Sequence, residues 1–91
     1  MDEKEIRKNA DNIRYNLVRL YDEVKKTNNT RKFMSVVGIH CTSISYWRRG
    51  LKIPQYITIK RICENLGVDL YTFCTKRIEV KLTYNLEINF N

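Results

Sequence analysis

Apolar residues recur at steps of three and four along the first quarter of the chain, and charged side chains fill the positions between them. This spacing lines one face of an α-helix. It predicts one helix over about residues 3–26. Its apolar stripe consists of Ile6, Ala10, Ile13, Leu17, Leu20 and Val24. The polar residues 27–29 then break the pattern, and Asn29 is placed to cap a second helix.

Two short helices follow, joined by a glycine turn. The first is predicted over about residues 30–37 and ends at Gly38, because a sharp turn at a helix C-terminus commonly needs a positive φ. The second is predicted over about residues 41–49, with Ile44 and Trp47 directed inward and mostly small polar residues elsewhere. Together they form a helix-turn-helix pattern, in which the second helix reads DNA.

Two further helices complete the helical part of the chain. One is predicted over residues 56–66 and ends at Gly67. Its core positions are Ile59, Ile62, Cys63 and Leu66. The other runs from a cap at Asp69 to about Thr75 and buries Leu70 and Phe73.

The last 14 residues alternate strictly between apolar and polar side chains from Ile78 to Asn91, which is typical of a β-strand with one apolar face. No other segment has this pattern, so the strand must pair with itself or with a second copy. A two-residue hairpin loop at 84–85 is excluded, because it would set Leu82 opposite Glu87, whereas a three-residue loop at 83–85 satisfies the alternation. The expected pairs are then Leu82 with Leu86, Val80 with Ile88, and Ile78 with Phe90. We favour strands of two subunits pairing antiparallel, and a hairpin that contributes to such a dimer is compatible with this.

The predicted fold class is mainly α: a five-helix domain over residues 1–76, with a C-terminal strand or hairpin over 77–91 as the dimerisation element. Ninety-one residues suffice for one domain. The chain shows no signal-peptide pattern and no apolar run of roughly 18 residues, so we expect a soluble, cytoplasmic protein that does not enter a membrane. Cys41, Cys63 and Cys74 have no metal-ligand spacing and are expected to be reduced.

The net charge of +7 is concentrated in one part of the chain. Residues 1–26 and 62–91 together carry no net charge, whereas residues 27–61 contain no Asp or Glu. The basic residues of this segment are Arg31, Lys32, Arg48, Arg49, Lys52, Lys60 and Arg61. Such a concentration indicates a polyanionic partner, although a solvated basic face has the same composition.

The residues themselves carry a family resemblance. Positions 29–50 read NTRKFMSVVGIHCTSISYWRRG, followed by Pro54, Ile59, Ile62, the Leu-Gly-Val of 66–68, and Leu70. Over about residues 13–73 this pattern resembles the Cro/repressor-like (xenobiotic-response-element) helix-turn-helix family. The resemblance implies a five-helix fold and sequence-specific binding of double-stranded DNA.

Two departures from the family pattern bear on the site. Where the family often has Gln at the start of its first motif helix, this chain has Thr30 beside Arg31. Where it often has Glu near the end of the recognition helix, paired with an Arg of the first helix, this chain has Arg48. The first helix here supplies Asp22 and Glu23, so we expect an ion pair of reversed sign.

The candidate site residues fall into two groups. With the recognition helix in the major groove, the residues expected to reach base edges are Cys41, Thr42, Ser43 and Tyr46. Those expected to contact phosphates are Thr30, Arg31, Lys32, Arg49 and Lys52. The free N–H groups that open the helices at 30 and 56 are expected to assist. Tyr46 could instead cover the core, and Cys41 could be redox-sensitive.

The first hypothesis is a DNA-binding transcriptional repressor of phage or mobile-element type, acting as a homodimer on a palindromic or near-palindromic operator. Two alternatives remain: the DNA-binding antitoxin of a toxin-antitoxin pair, or a protein-interaction module (anti-repressor) on the same fold, each with a protein partner. The chain shows no paired carboxylates, nucleophile-base set, metal cluster or phosphate loop, so we expect neither an enzyme nor a cofactor.

Overall fold

The computed structural model of the chain describes residues 2–26, 31, 41–82 and 86–90. Its helices are α1 (Glu3–Lys8), α2 (Ala10–Lys25), α3 (Cys41–Arg48), α4 (Tyr56–Leu66) and α5 (Leu70–Thr75). An antiparallel hairpin of β1 (Ile78–Leu82) and β2 (Leu86–Phe90) follows. The mainly α fold with a C-terminal β element is therefore confirmed. The predicted helix over 30–37 and its Gly38 turn lie outside the described residues, except for Arg31, which is helical and exposed.

The prediction of one unbroken helix over 3–26 was wrong, because the helix is interrupted at Asn9. This residue has φ −103° and ψ 16°, and its side-chain amide donates to the carbonyl oxygen of Glu5 at 2.7 Å. Asparagine side chains compete in this way with the regular helical hydrogen bonds. The backbone N–H of Ile13 still donates to the Asn9 carbonyl at 2.9 Å, so the apolar face continues across the break and both Ile6 and Ile13 are buried.

One core joins all the described elements except β2, of which only the backbone is described. α2 is central to it, since α1, α3, α5 and β1 all pack against this helix. The predicted stripe faces this core, although Ala10 is only half-buried. The buried apolar residues are Ile6, Ile13, Leu17, Leu20, Val24, Ile44, Trp47, Ile59, Ile62, Cys63, Phe73, Cys74, Ile78 and Val80.

The junction between α4 and α5 follows the local sequence signals. Gly67 has φ +68°, and the next residue, Val68, donates its N–H to the Cys63 carbonyl at 3.0 Å, so the last turn of α4 is closed by a left-handed glycine. Asp69 then caps α5 by accepting from the backbone N–H of Thr72 at 3.0 Å. Both helix boundaries are those that the sequence predicts.

The hairpin has the register expected for a three-residue loop. The facing pairs include Ile78 with Phe90, Val80 with Ile88, and Leu82 with Leu86. The loop residues 83–85 lie outside the described part of the chain. β1 therefore pairs within its own chain rather than across a two-fold axis, and the dimer that we favoured would have to use the outer edge of the hairpin.

Two asparagines of α2 fasten the hairpin to the helical domain. Asn16 is fully buried, and its amide nitrogen donates to the carbonyls of Phe73 at 2.6 Å and Lys76 at 2.8 Å. Its oxygen accepts from the Ile78 N–H at 3.0 Å. Asn12 donates to the carbonyls of Cys74 at 2.8 Å and Lys76 at 3.0 Å. These bonds satisfy the free carbonyls at the end of α5 and fix the first residue of β1.

Candidate nucleic-acid interface

The candidate interface lies on α3, which packs against α2 through one face and presents the other to solvent. Ile44 and Trp47 are buried, with 3% and 6% of their surface exposed. This confirms their predicted core role and anchors α3 by its apolar side. The small polar residues of the helix therefore lie on its outer side.

The four residues predicted to reach base edges are all accessible, to different degrees. Cys41 and Thr42 are exposed, whereas Ser43 and Tyr46 are half-buried. Sequence reasoning missed Ser45, which is also exposed. The signal was present, since Ser45 follows Thr42 by three residues and points away from Ile44 and Trp47 on a helix of 3.6 residues per turn.

Two residues after α3, Gly50 and Lys52, have a positive φ, and Leu51 lies between them. Gly50 has φ +72° and donates its N–H to the Trp47 carbonyl at 3.0 Å. Leu51 then donates to the Tyr46 carbonyl at 2.9 Å, which completes the same kind of glycine closure as at Gly67. Lys52 follows with φ +57°, and it is the only non-glycine residue with a positive φ in the described part of the chain.

Tyr46 is flanked by two cations. The Lys52 ammonium nitrogen lies 4.2 Å from the centre of the Tyr46 ring, and the Arg49 guanidinium carbon lies 5.4 Å from it. Both distances are within the range of cation–π attraction. The structure thus places one predicted base-contacting residue beside two predicted phosphate-contacting residues.

Arg14 of α2 binds the backbone of Lys52 in this cluster. The sequence did not predict this contact. The Arg14 Nη1 donates to the Lys52 carbonyl at 3.0 Å, while its other terminal nitrogen pairs with Asp11. Only 14% of the Arg14 side chain is exposed. The contact joins residues 38 positions apart and depends on the loop conformation, so no local pattern signals it.

The reversed ion pair expected from the resemblance is present. Arg48 donates from Nη1 to Oδ2 of Asp22 at 3.0 Å and from Nη2 to Oδ1 at 2.6 Å. The Arg48 hydrogen bond lowers the pKa of Asp22 below its ordinary value, and the same bond raises the pKa of Arg48. Glu23, the other candidate partner, pairs instead with Arg19 and Lys26.

The residues predicted to contact phosphates are exposed wherever the structure describes them. Arg31, Arg49 and Lys52 are exposed, whereas Thr30 and Lys32 lie outside the described residues. Lys60 and Arg61 of the same basic segment are also exposed, on α4. Gln55, the residue before α4, makes no side-chain hydrogen bond that would cap this helix.

Features that would favour other chemistry are not found in the described parts of the chain. No group of three His, Cys, Asp or Glu residues there could hold a metal ion, and no helix there has the length and apolarity to cross a bilayer. All three cysteines are free thiols. Burial raises the pKa of Cys63 to about 12 and that of Cys74 to about 11, so neither is a ready nucleophile.

Comparisons of the chain with protein-family models, curated proteins and solved structures gave no match.

Proposed function

We propose that this protein binds double-stranded DNA sequence-specifically and acts as a transcriptional repressor. The observation that carries the proposal is the cluster at the end of α3. Tyr46, a candidate base reader, lies against Arg49 and Lys52, two exposed cations suited to phosphates. A surface that combines base-reading and phosphate-binding groups is what a DNA interface needs.

In the proposed complex α3 lies in the major groove, whose width of about 12 Å admits a helix. Its buried face stays on the protein, held by Ile44 and Trp47. The residues directed at base edges are Cys41, Thr42, Ser43, Ser45 and Tyr46. Short hydroxyl and thiol side chains permit close approach of the helix to the bases, including contact with thymine methyl groups.

Phosphate contacts supply most of the affinity in this proposal. Arg49 and Lys52 flank the reading surface, and Arg31 and the N-terminus of α4 add further donors. The sequence supports this, since residues 27–61 contain seven basic and no acidic side chains. In the described part of that segment, only Arg48 has a carboxylate partner in an ion pair, and that partner comes from α2.

The proposed active form is a cytoplasmic homodimer joined through the hairpin. The sheet has only two strands, so β2 pairs with β1 on one side and forms an edge of the sheet on the other. The edge of a sheet can pair with a strand of another chain. The opposite edge, formed by β1, is less available, because the backbone N–H of Ile78 already donates to the side chain of Asn16. In the proposed dimer two β2 strands pair antiparallel about a two-fold axis. A palindromic or near-palindromic operator requires the two copies of α3 to lie about 34 Å apart, one turn of B-DNA.

Binding to DNA at increasing salt tests this function, with a labelled duplex and fluorescence anisotropy as the readout. If about four phosphates are neutralised per subunit, a dimer gives a log-log slope near −7. Arg49→Ala should weaken binding to all sequences alike, whereas Thr42→Ala should lose preference at particular base pairs. Lys76→Ala is the matched control, because it removes one exposed charge outside the basic segment. A slope near zero on every duplex would refute DNA binding.

A further inference from the structure

Lys52 has a backbone conformation that its residue type does not favour. Its φ of +57° lies in the left-handed region, which side chains other than Gly, Asn and Asp rarely adopt. The helix end does not require it, since Gly50 has already closed α3 two residues earlier. The Lys52 side chain is exposed, so burial of its stem does not explain it. Strain of this kind persists where surrounding contacts impose it, and it concentrates at functional sites.

Arg14 makes a side-chain hydrogen bond to the backbone of Lys52. The hydrogen bond from its Nη1 to the Lys52 carbonyl fixes the orientation of the following peptide plane. Asp11 engages the opposite nitrogen of the same guanidinium, so the planar group is held at both ends. Because Arg14 is largely buried and doubly engaged, it is poorly placed to reach a phosphate itself.

The Lys52 side chain contacts the proposed reading helix. Its ammonium nitrogen lies 4.2 Å from the Tyr46 ring centre, nearer than the guanidinium carbon of Arg49. The ring is thereby restrained before any DNA arrives. Restraining a side chain in its bound orientation reduces the entropy lost on binding.

We propose that Arg14 is a positioning residue for DNA recognition: it holds Lys52 in the left-handed conformation, and Lys52 in turn fixes Tyr46 for base reading. The inference rests on the proposed function and assigns Arg14 to sequence discrimination rather than to general affinity. Lys52 has two roles in it, since its ammonium group restrains Tyr46 and also remains available to a phosphate.

The test compares binding of the full-length protein to its preferred duplex and to duplexes with single base-pair changes. Arg14→Lys keeps the charge but loses the planar fork that holds the loop. It should lower discrimination at the base pairs that depend on Tyr46 by about 5- to 150-fold, with an unchanged salt slope. Arg19→Lys is the control, because it makes the same charge-conserving change on the same helix at a residue paired with Glu23.

A second variant separates a functional from a structural role of the strained residue. Lys52→Asn removes the ammonium group but tolerates the left-handed backbone. It should leave the melting temperature unchanged or higher while discrimination through Tyr46 falls. A melting temperature that drops together with binding would mean that Lys52 is structural, and it would overturn the inference.

A double-mutant cycle shows whether Arg14 acts through the tyrosine. In a Tyr46→Ala background, Arg14→Lys should cause no further loss of discrimination. An undiminished effect in that background, or a loss that is equal on all duplexes, would overturn the positioning role while leaving DNA binding intact. A wild-type protein that binds no duplex would instead refute the proposed function, and the inference with it.

Discussion

Arg48 holds the carboxylate of Asp22 with two hydrogen bonds, one from each terminal nitrogen of its guanidinium. The pair connects the last residue of α3 to α2, 26 positions earlier in the chain. Here α3 supplies the cation and α2 the carboxylate, as the sequence predicts. The contact ties the end of α3 to the central helix.

The reversed pair predicts rescue by a charge swap. Asp22→Arg alone places two arginines together and should destabilise the fold, whereas Asp22→Arg combined with Arg48→Asp restores attraction. Both partners are substantially exposed, so each effect should be about 1 kcal/mol or less. Chemical denaturation of the single and double variants measures this. A double variant no more stable than the sum of its single changes would show that the pair contributes no coupling.

Acid should destabilise the protein through carboxylates whose pKa is lowered by folding. The Arg48 hydrogen bond lowers the pKa of Asp22, and hydrogen bonds from Thr72 lower that of Asp69, both below the ordinary 3.8. Their stabilisation is complete above the unfolded pKa and is lost as the pH falls below about 4 through the folded values. Urea unfolding from pH 7 to pH 2 measures the effect.

Two variants test whether this acid dependence arises from Asp22 and Asp69. Asp69→Asn preserves a capping side chain, and Asp22→Asn removes the ion pair. Each removes one titrating carboxylate, so the fall in unfolding free energy at acid pH should become smaller in each. Profiles parallel to the wild type in both variants would place the acid dependence in other groups.

Asn16 should be among the most sensitive polar positions. Asn16→Ala leaves the carbonyls of Phe73 and Lys76 and the N–H of Ile78 without their partner, which should cost roughly 2–3 kcal/mol of unfolding free energy. Asn12→Ala, in a less buried position on the same helix, is the matched control and should cost about 1 kcal/mol. Equal losses in the two variants would contradict the central role given to Asn16.

If the dimer forms through the outer edge of β2, as proposed, a proline in this strand should break it. Successive N–H groups of β2 point alternately to β1 and outward. Proline at 88 and proline at 89 therefore remove N–H groups of opposite direction, one directed at β1 and the other outward. One variant should be monomeric with its fold intact, and the other should lose the hairpin. Sedimentation with circular dichroism distinguishes them. A wild-type monomer at binding concentrations, or two folded dimeric variants, would exclude this interface.

The parts of the fold that were predictable from the sequence depend on local signals. Gly67 and Asp69 mark helix boundaries through their own backbone preferences, and the alternation after Ile78 restricts a hairpin to registers in which apolar residues face each other. The alternation does not decide between a hairpin and a strand paired with a second copy. The break at Asn9 was not predictable, because the spacing of apolar residues is the same in a kinked and in a straight helix. The break is accompanied by one hydrogen bond, from the side-chain amide of Asn9 to the carbonyl oxygen of Glu5.

The sequence predicted the candidate site residues on α3 and the exposed cations Arg49 and Lys52 that follow this helix. Thr42 and Tyr46 follow from helical periodicity once Ile44 and Trp47 are assigned to the core. Arg14 does not, because its role depends on a loop carbonyl presented by a strained residue 38 positions away. Long-range contacts of this kind require the folded chain.

The most direct measurement of the central claim is selection of bound duplexes from a random DNA pool by the full-length protein, followed by a salt titration on the selected sequence. DNA binding as a dimer predicts enrichment of a palindromic or near-palindromic site with half-sites about 10 base pairs apart. It also predicts a log-log salt slope near −7. A pool that remains random after repeated selection, with an affinity independent of salt, would contradict the proposed function.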